Sequence, residues 1–262
     1  MGIPAVIAHG GAGPGPERGE NVKIAVRVAS KILESGGSAI DAAIEACVVL
    51  EDDPAFNAGT GSVYRTDGSV LVDASIQTCD GRLGFVIAMS NTPNPIRIAA
   101  ALLHEEINGL AGKGAREWAD KRGFRNSEVE GRTPLEGIGD TVGVITRDKN
   151  GFFACATSTG GCSFRPPGRV GDVPLPGSGF WTEKGIAVAA TGNGEVITKN
   201  LLSYKILNKF SNSSDSLEDS ISWGLNEFID DSISVGLISL SDTGKGVGLA
   251  NTDMPWSTWI GN

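Results

Sequence analysis

Runs of apolar residues alternate along the chain with polar and glycine-rich turns. Residues 3–8 form an apolar run that stops at the glycines of 10–13, which predicts a buried strand entering a turn. Apolar residues at helical spacing over 22–33 predict a helix. Ser38 then begins a second helix over 39–50, which is apolar on most faces and is therefore expected to be buried.

The rest of the pattern predicts hairpins and pairs of helices. An Asp-Gly turn predicts a hairpin between 63–64 and 70–72. Further strands are predicted at 84–89, 141–146, 152–157, 186–190, 233–240 and 247–250, and further helices at 96–107, 114–121, 196–210 and 217–229. Hairpins imply antiparallel sheet, and paired helices argue against a doubly wound parallel fold. An α+β fold with two packed sheets covered by helices is therefore expected, with 123–139 as an exposed connection.

Composition and charge narrow the class of protein. The chain of 262 residues can bury a large core, and its net charge is -9 without a cluster of Lys and Arg, which argues against nucleic acid as a partner. Four cysteines without a C-x-x-C pair and two histidines give no zinc spacing. No segment reaches the roughly 20 apolar residues of a membrane span, and no targeting segment is evident. We therefore expect a cytoplasmic protein that does not associate with membranes.

The common catalytic motifs are missing. The two histidines do not complete a Ser-His-Asp set, and the glycines after His9 match neither a dinucleotide fingerprint nor a Walker motif. His9 by itself is more often a structural residue than a catalyst.

One junction could carry chemistry, because the polar connection runs directly into a strand at Thr141. Cleavage of the Asp140–Thr141 bond would leave Thr141 with a free α-amine of pKa about 7.7–8.0, which suits a base near neutral pH. A threonine and its own amine form a known nucleophile–base pair. A threonine at the start of a strand is nearly always structural, so the junction needs further support.

Three later stretches supply that support, since each places hydroxyls, glycine amides or charges at a strand end or turn. They cover 156–161, 168–172 and 190–195. Arg169 can bind a carboxylate with two hydrogen bonds, and Asp172 can bind an ammonium group. Together they could hold both charged groups of an amino acid, although a surface salt bridge would give the same pattern.

At these residues the sequence resembles the plant-type asparaginases, or isoaspartyl aminopeptidases, of the N-terminal nucleophile hydrolase superfamily. The stretches that carry the resemblance occur in the family's order: 9–13, 56–59, 140–143, 157–161, 168–172 and 191–195. The resemblance implies a four-layer αββα sandwich, formed as a single domain over 1–262. It also implies self-cleavage into 1–140 and 141–262, and a homodimer of these αβ units.

The resemblance also implies the activity and the residues that perform it. The substrates would be L-asparagine and β-aspartyl dipeptides, with no cofactor for catalysis. Thr141 matches the nucleophile, Thr159 the threonine that supports it, and Asn57 a residue near it. Substrate binding falls to Arg169, Asp172, Thr191, Gly192 and Gly194, of which Thr191 and Gly192 also match the oxyanion hole. The loop 50–60 matches one whose main-chain carbonyls bind sodium, and the matching positions are Leu50, Glu51, Asp53, Phe56, Ala58 and Thr60.

Other activities stay open at this point. The residue before the nucleophile is usually glycine in this family, whereas Asp140 is typical of the related glycosylasparaginases, which hydrolyse GlcNAc-Asn. Thr159-Gly160-Gly161 instead follows the plant-type pattern. A threonine endopeptidase of the taspase kind is less favoured because the chain lacks room for a long extra loop. A non-enzymatic, uncleaved homologue is the alternative outside this class.

Overall fold

The computed structural model describes residues 2–13, 17–133 and 141–262. Strands β1–β11 comprise, in order, Ala5–His9, Val72–Thr78, Leu83–Met89, Gly109–Ala111, Val142–Arg147, Phe153–Thr159, Phe180–Glu183, Ile186–Gly192, Val235–Ser241, Val247–Ala250 and Trp256–Ile260. Helices α1–α7 comprise Gly19–Glu34, Ala39–Asp52, Pro95–Ala101, Gly112–Asp120, Gly194–Asn200, Leu202–Ser211 and Leu217–Phe228. The predicted α+β class is confirmed.

Two sheets form the centre of the fold. The larger has seven strands in the order β11-β1-β5-β6-β2-β3-β4, and the smaller has four in the order β10-β9-β8-β7. Neighbouring strands are antiparallel except for β3 and β4. The central strands β5 and β6 pair with Val142 opposite Ser158. This register brings the chain immediately before β5 alongside the last residue of β6.

Alternation along the strands separates three apolar cores. Val6 and Ala8 of β1 belong to the core beneath α1, α2 and α3, whereas Ala5 and Ile7 face the second sheet. A third core lies between the smaller sheet and the helices α6 and α7. Because successive residues of a strand face opposite sides of its sheet, each sheet is covered on both faces. The two sheets are thus packed together and flanked by helices.

Local signals place the helices close to where the sequence predicts them. Ser38 accepts a hydrogen bond from the main-chain nitrogen of Asp41 at 3.1 Å, and it caps α2 as its position suggests. The predicted helix 196–210 is interrupted, because Leu201 adopts a left-handed conformation with φ of 49° and separates α5 from α6.

The predicted hairpin between 63–64 and 70–72 is wrong. Val63 forms only an isolated bridge with Arg132, and strand β2 begins at Val72 and pairs with β3 and β6. The turn itself is present, since the nitrogen of Arg65 donates to the carbonyl of Ser69 at 2.8 Å. Strands β4, β7 and β11 were not predicted, because short or edge strands carry little periodicity, and only Val72 of β2 falls within a predicted strand. Within the described ranges, no helix is long and apolar enough to cross a membrane.

Candidate active site

The side chains of two threonines meet where β5 begins and β6 ends. Thr141 precedes β5 directly, and its hydroxyl donates to the hydroxyl of Thr159 at 3.2 Å. The nitrogen of Gly161 also donates to Thr159 Oγ1, at 3.0 Å. Both threonines are buried. The antiparallel register therefore presents one hydroxyl to the other in a largely dry environment.

Asn57 holds the turn that follows Thr159. Its side-chain nitrogen donates to the carbonyl of Gly161 at 2.6 Å, and its own carbonyl accepts from the nitrogen of Gly160 at 2.9 Å. Its Oδ1 accepts from the nitrogen of Val63 at 3.1 Å. The hydrogen bonds of Asn57 thus fix the Gly160–Gly161 turn, which in turn positions Thr159.

A small pocket opens beside the two threonines. Five of the predicted site residues line it, and three further residues complete it: Thr141, Thr159, Arg169, Asp172, Gly192, Gly161, Cys162 and Gly171. The side chains combine a hydroxyl pair with one guanidinium and one carboxyl group. This chemistry suits a small zwitterionic ligand such as an amino acid.

Thr191 and Gly192 are the last two residues of β8, and Gly192 lines this pocket. Gly192 has φ of 125°, and a β-carbon there would clash with the carbonyl oxygen of Ser234. Thr191 is fully buried, and its hydroxyl has no hydrogen-bond partner within the described part of the chain. A buried donor left without a partner is expensive, so a ligand atom is a natural acceptor for it.

The two charged residues of the predicted amino-acid clamp both line the pocket but do not pair with each other. Arg169 pairs with Glu195, Nε to Oε1 at 3.0 Å and Nη2 to Oε2 at 2.7 Å, rather than with Asp172. Asp172 is buried, and burial raises the pKa of its carboxyl group to about 7. Gly194 lies between them, since a β-carbon there would be 2.7 Å from Asp172 Oδ1 and 2.8 Å from Arg169 Nη2. Only glycine leaves room for both side chains.

Two further charged residues are buried beside this site, and the sequence analysis did not identify them. Asp73 pairs with Thr159 across β2 and β6, and burial raises the pKa of its carboxyl group to about 6. Arg65 packs against Gly161, and burial lowers the pKa of its guanidinium. Both depend on strand register and packing, which sequence spacing does not show. Glu195 and Cys162 were also missed, although Glu195 lies within a stretch, 191–195, that carried the resemblance.

His9 is a neutral, fully buried residue of β1, and it lies opposite Gly143 of β5. Its Nδ1 accepts from the nitrogen of Gly11 at 3.1 Å, so the proton lies on Nε2. Burial lowers the pKa of His9 to about 3, and the main chain of Thr141 opposes that shift only in part. The ring fills the space beside Gly143, where a β-carbon would clash with it. The interpretation of His9 as structural agrees with this packing.

The loop proposed to bind sodium is compact and partly self-bonded. The carbonyl of Asp53 accepts from the nitrogen of Phe56, and that of Ala58 from the nitrogen of Gly61, both at 3.2 Å. Glu51 is fully buried, and burial raises the pKa of its carboxyl group to about 8. Main-chain carbonyl oxygens are ligands that a hard cation accepts, and a carbonyl that accepts one hydrogen bond retains a second lone pair, so the chemistry of the loop is compatible with the ion. In the described ranges no group of three His, Cys, Asp or Glu side chains could hold a metal.

Fold and site together define a class of protein: an α+β protein whose paired threonines and charged pocket lie at one end of two packed sheets. The asparaginase family model matches residues 2–134 and 127–261. The chain therefore belongs to the asparaginase family.

Curated relatives resemble the chain over most of its length. It is 38% identical to an isoaspartyl peptidase/L-asparaginase of Danio rerio, covering 78% of this chain and 75% of the relative. It is 34% identical to a plant-type L-asparaginase of Pyrobaculum calidifontis, covering 80% of this chain and 81% of the relative. It is also 34% identical to the isoaspartyl peptidase of Escherichia coli, over 79% of this chain and 76% of the relative.

Proposed function

We propose that this protein is a threonine amidohydrolase that hydrolyses the side-chain amide of L-asparagine and the isopeptide bond of β-aspartyl dipeptides. The observation that carries the proposal is the hydroxyl pair of Thr141 and Thr159 in one pocket with Arg169 and Asp172. The names of the relatives, isoaspartyl peptidase and L-asparaginase, describe the same pair of reactions.

The proposed nucleophile is produced by the chain itself. Asp140 and the rest of 134–140 lie outside the described residues, so the proposal rests on the sequence of the junction and on the position of Thr141. The Thr141 hydroxyl attacks the carbonyl of Asp140, and the resulting ester is hydrolysed by water. The products are 1–140, with a new carboxyl terminus, and 141–262, with a free amine on Thr141.

That amine is the proposed general base. An unperturbed α-amine titrates at about 7.7–8.0 and can take the proton of the adjacent hydroxyl near neutral pH. Thr141 Oγ1 then attacks the β-carbonyl of the substrate, and Thr159 supports the hydroxyl through the hydrogen bond of 3.2 Å. The leaving amine takes the proton as the acyl-enzyme forms, and water then releases aspartate and regenerates Thr141.

The oxyanion that forms during attack needs hydrogen-bond donors close to the oxygen of the substrate's β-carbonyl group. Thr191 and Gly192 are proposed for this role, because the buried Thr191 hydroxyl lacks a protein partner in the described residues and Gly192 lines the pocket. Donors positioned before the reaction stabilise charge that develops only in the transition state.

Recognition of the aspartyl group is proposed to rest on Arg169 for the α-carboxylate and Asp172 for the α-ammonium. Gly194 provides the space in which both reach the ligand. Binding of the ammonium also supplies the buried Asp172 carboxylate with a counter-charge, which offsets the cost of ionising it.

Three wider features of the proposal follow from family membership. We propose the N-terminal nucleophile hydrolase sandwich for the whole chain, a homodimer of cleaved αβ units, and a sodium ion on the carbonyls of the 50–60 loop. The sodium ion would brace the loop that carries Asn57, and it takes no part in the reaction.

The test combines a denaturing gel with an assay. Purified protein is expected to run as two fragments, with the second beginning Thr141-Val142-Gly143, and to release ammonia from L-asparagine and leucine from β-Asp-Leu. Thr141→Ala should stay whole and hydrolyse neither compound. A chain that stays whole and inactive after long incubation would favour a non-enzymatic homologue, and a clear preference for GlcNAc-Asn would favour a glycosylasparaginase.

A further inference from the structure

Glu195 is the only carboxylate among the described residues that forms hydrogen bonds with Arg169. It lies in the first turn of α5, 26 residues after Arg169, and the two side chains form a pair of hydrogen bonds at 3.0 and 2.7 Å. The Arg169 side chain is 11% exposed and that of Glu195 is 48% exposed. The pair therefore stands at the rim of the pocket, with its cation turned inward.

The geometry decides which edge of the guanidinium remains available. A guanidinium offers two edges that can each donate twice to a carboxylate, one through Nε and one through Nη1. Glu195 takes the edge formed by Nε and Nη2. Arg169 Nη1 lies beside the α-carbon of Gly171, which lines the pocket. The edge that faces the ligand is thus the one that Glu195 leaves open.

Arg169 forms its side-chain hydrogen bonds with Glu195 and not with Asp172, although the charges of Arg169 and Asp172 attract each other. Asp172 Oδ2 is buried and has no hydrogen-bond partner in the described part of the chain. Both Asp172 and Arg169 approach the α-carbon of Gly194, so a rotation of Arg169 could bring it to Asp172. Such a pair would occupy the group for the ligand carboxylate and the group for its ammonium together.

We infer that Glu195 is a positioning residue for substrate binding, which holds Arg169 with one edge toward the α-carboxylate and away from Asp172. The inference rests on the proposed function and adds a residue to it. The alternative is that Glu195 competes with the substrate's α-carboxylate for Arg169. In that case the substrate would have to displace Glu195 before it could bind. The two roles predict changes of opposite sign in KM.

The experiment measures steady-state kinetics of Glu195→Gln and Glu195→Asp with L-asparagine and β-Asp-Leu. Loss of the charged pair in Glu195→Gln should raise KM about tenfold, with kcat within about twofold of the wild type, since a misplaced Arg169 loses about one charged hydrogen bond to the substrate's α-carboxylate. Glu195→Asp keeps the charge and should recover part of the affinity. Glu218→Gln is the matched control, because Glu218 occupies the same position in the first turn of α7.

The substrate provides a second arm. L-asparagine α-amide lacks the α-carboxylate, so the wild type should hydrolyse it poorly. Glu195→Gln should not lower kcat/KM for this compound any further. The same relative increase in KM for L-asparagine and for its α-amide would indicate general damage and overturn the inference. A lower KM in Glu195→Gln, which would show that Glu195 competes with the substrate, or unchanged kinetics would also overturn the inference. If Glu195→Gln does not fold, the Ki of the product L-aspartate in Glu195→Asp decides, and an unchanged Ki counts against the inference. A wild type that hydrolyses none of these compounds would refute the proposed function itself.

Discussion

The hydroxyl of Thr141 donates to the hydroxyl of Thr159 at 3.2 Å across 18 residues of sequence. The contact exists because β5 and β6 are antiparallel neighbours with Val142 opposite Ser158. A β-hairpin thereby brings a candidate nucleophile and its supporting hydroxyl together.

Removing the Thr159 hydroxyl should lower activity more than stability. Thr159→Val keeps the shape but loses the acceptor for Thr141 and for the nitrogen of Gly161, which leaves a buried donor at a cost of about 1–3 kcal/mol. We expect kcat to fall about a hundredfold, which is the range for loss of one positioned catalytic group. Thr157→Val is the control: it removes another buried hydroxyl of β6 and should reduce Tm while sparing kcat. Similar kcat losses in both variants would contradict the role of Thr159.

Replacing Arg169 should impair both substrates. Arg169→Lys keeps the charge but loses the two-pronged geometry, and kcat/KM for L-asparagine and β-Asp-Leu should fall about ten- to a hundredfold. α-Asp-Leu should resist hydrolysis even by the wild type, because it lacks the free α-carboxylate. Arg165→Lys is the control, since Arg165 lies 3.9 Å from Glu195 and is 47% exposed. Equal wild-type rates on β-Asp-Leu and α-Asp-Leu would remove the clamp from the mechanism.

Substrate capture should weaken in mild acid. Burial raises the pKa of Asp172 to about 7, so the anion that pairs with the α-ammonium predominates only above that pH. Protonation of Asp172 should add a fall in kcat/KM of about tenfold per pH unit well below 7 to the fall caused by protonation of the Thr141 amine. In kcat this added step should lie at lower pH, because the bound ammonium favours the anion. Asp172→Asn should lose the step that belongs to Asp172. A pH profile of kcat/KM that is flat from pH 8 to 5 would contradict it.

The protein should lose stability in acid through His9. The pKa of His9 is about 3 in the folded protein, below the ordinary value of 6.5. As pH falls, the unfolded chain therefore binds a proton before the folded protein does. The contribution of neutral His9 to the free energy of unfolding is thus intact above pH 6.5 and is lost as pH falls toward 3. The loss approaches about 1.4 kcal/mol per pH unit below 6.5. In urea unfolding at pH 7.5 and 5.5, His9→Gln should show a smaller acid loss than the wild type. His104→Gln changes an exposed histidine and should behave as the wild type. The prediction fails if all three proteins lose the same free energy of unfolding.

A β-carbon at Gly192 should be tolerated poorly. Gly192→Ala adds a clash with the carbonyl of Ser234 to the cost of a positive φ, whereas Gly151→Ala has φ of 77° and open space. The control should lose about 1–2 kcal/mol from backbone strain alone. We expect Gly192→Ala to lose more stability than this and most of its activity, as measured by thermal unfolding and β-Asp-Leu hydrolysis. Equal losses of stability would show that the clash relaxes.

The sequence alone determined the class and most of the candidate site, because those features depend on local pattern. Apolar spacing predicted the helices near α1 and α2 and the strands near β5 and β6. The ordered stretches around Thr141, Thr159 and Arg169 were enough to suggest the family to which the chain belongs.

Only the tertiary structure decided which side chains meet. Spacing suggested that Arg169 and Asp172 act as neighbours, yet Arg169 pairs with Glu195 from another element, and Asp172 stays buried beside it. Asp73 lies opposite Thr159 because of strand register, and Val63 pairs with Arg132 instead of forming a hairpin. Burial, which shifts the pKa values of His9 and Asp172 in opposite directions, is likewise a property of packing. Local sequence specifies the turns and helices, whereas long-range packing sets the distances and the desolvation on which the chemistry of the site depends.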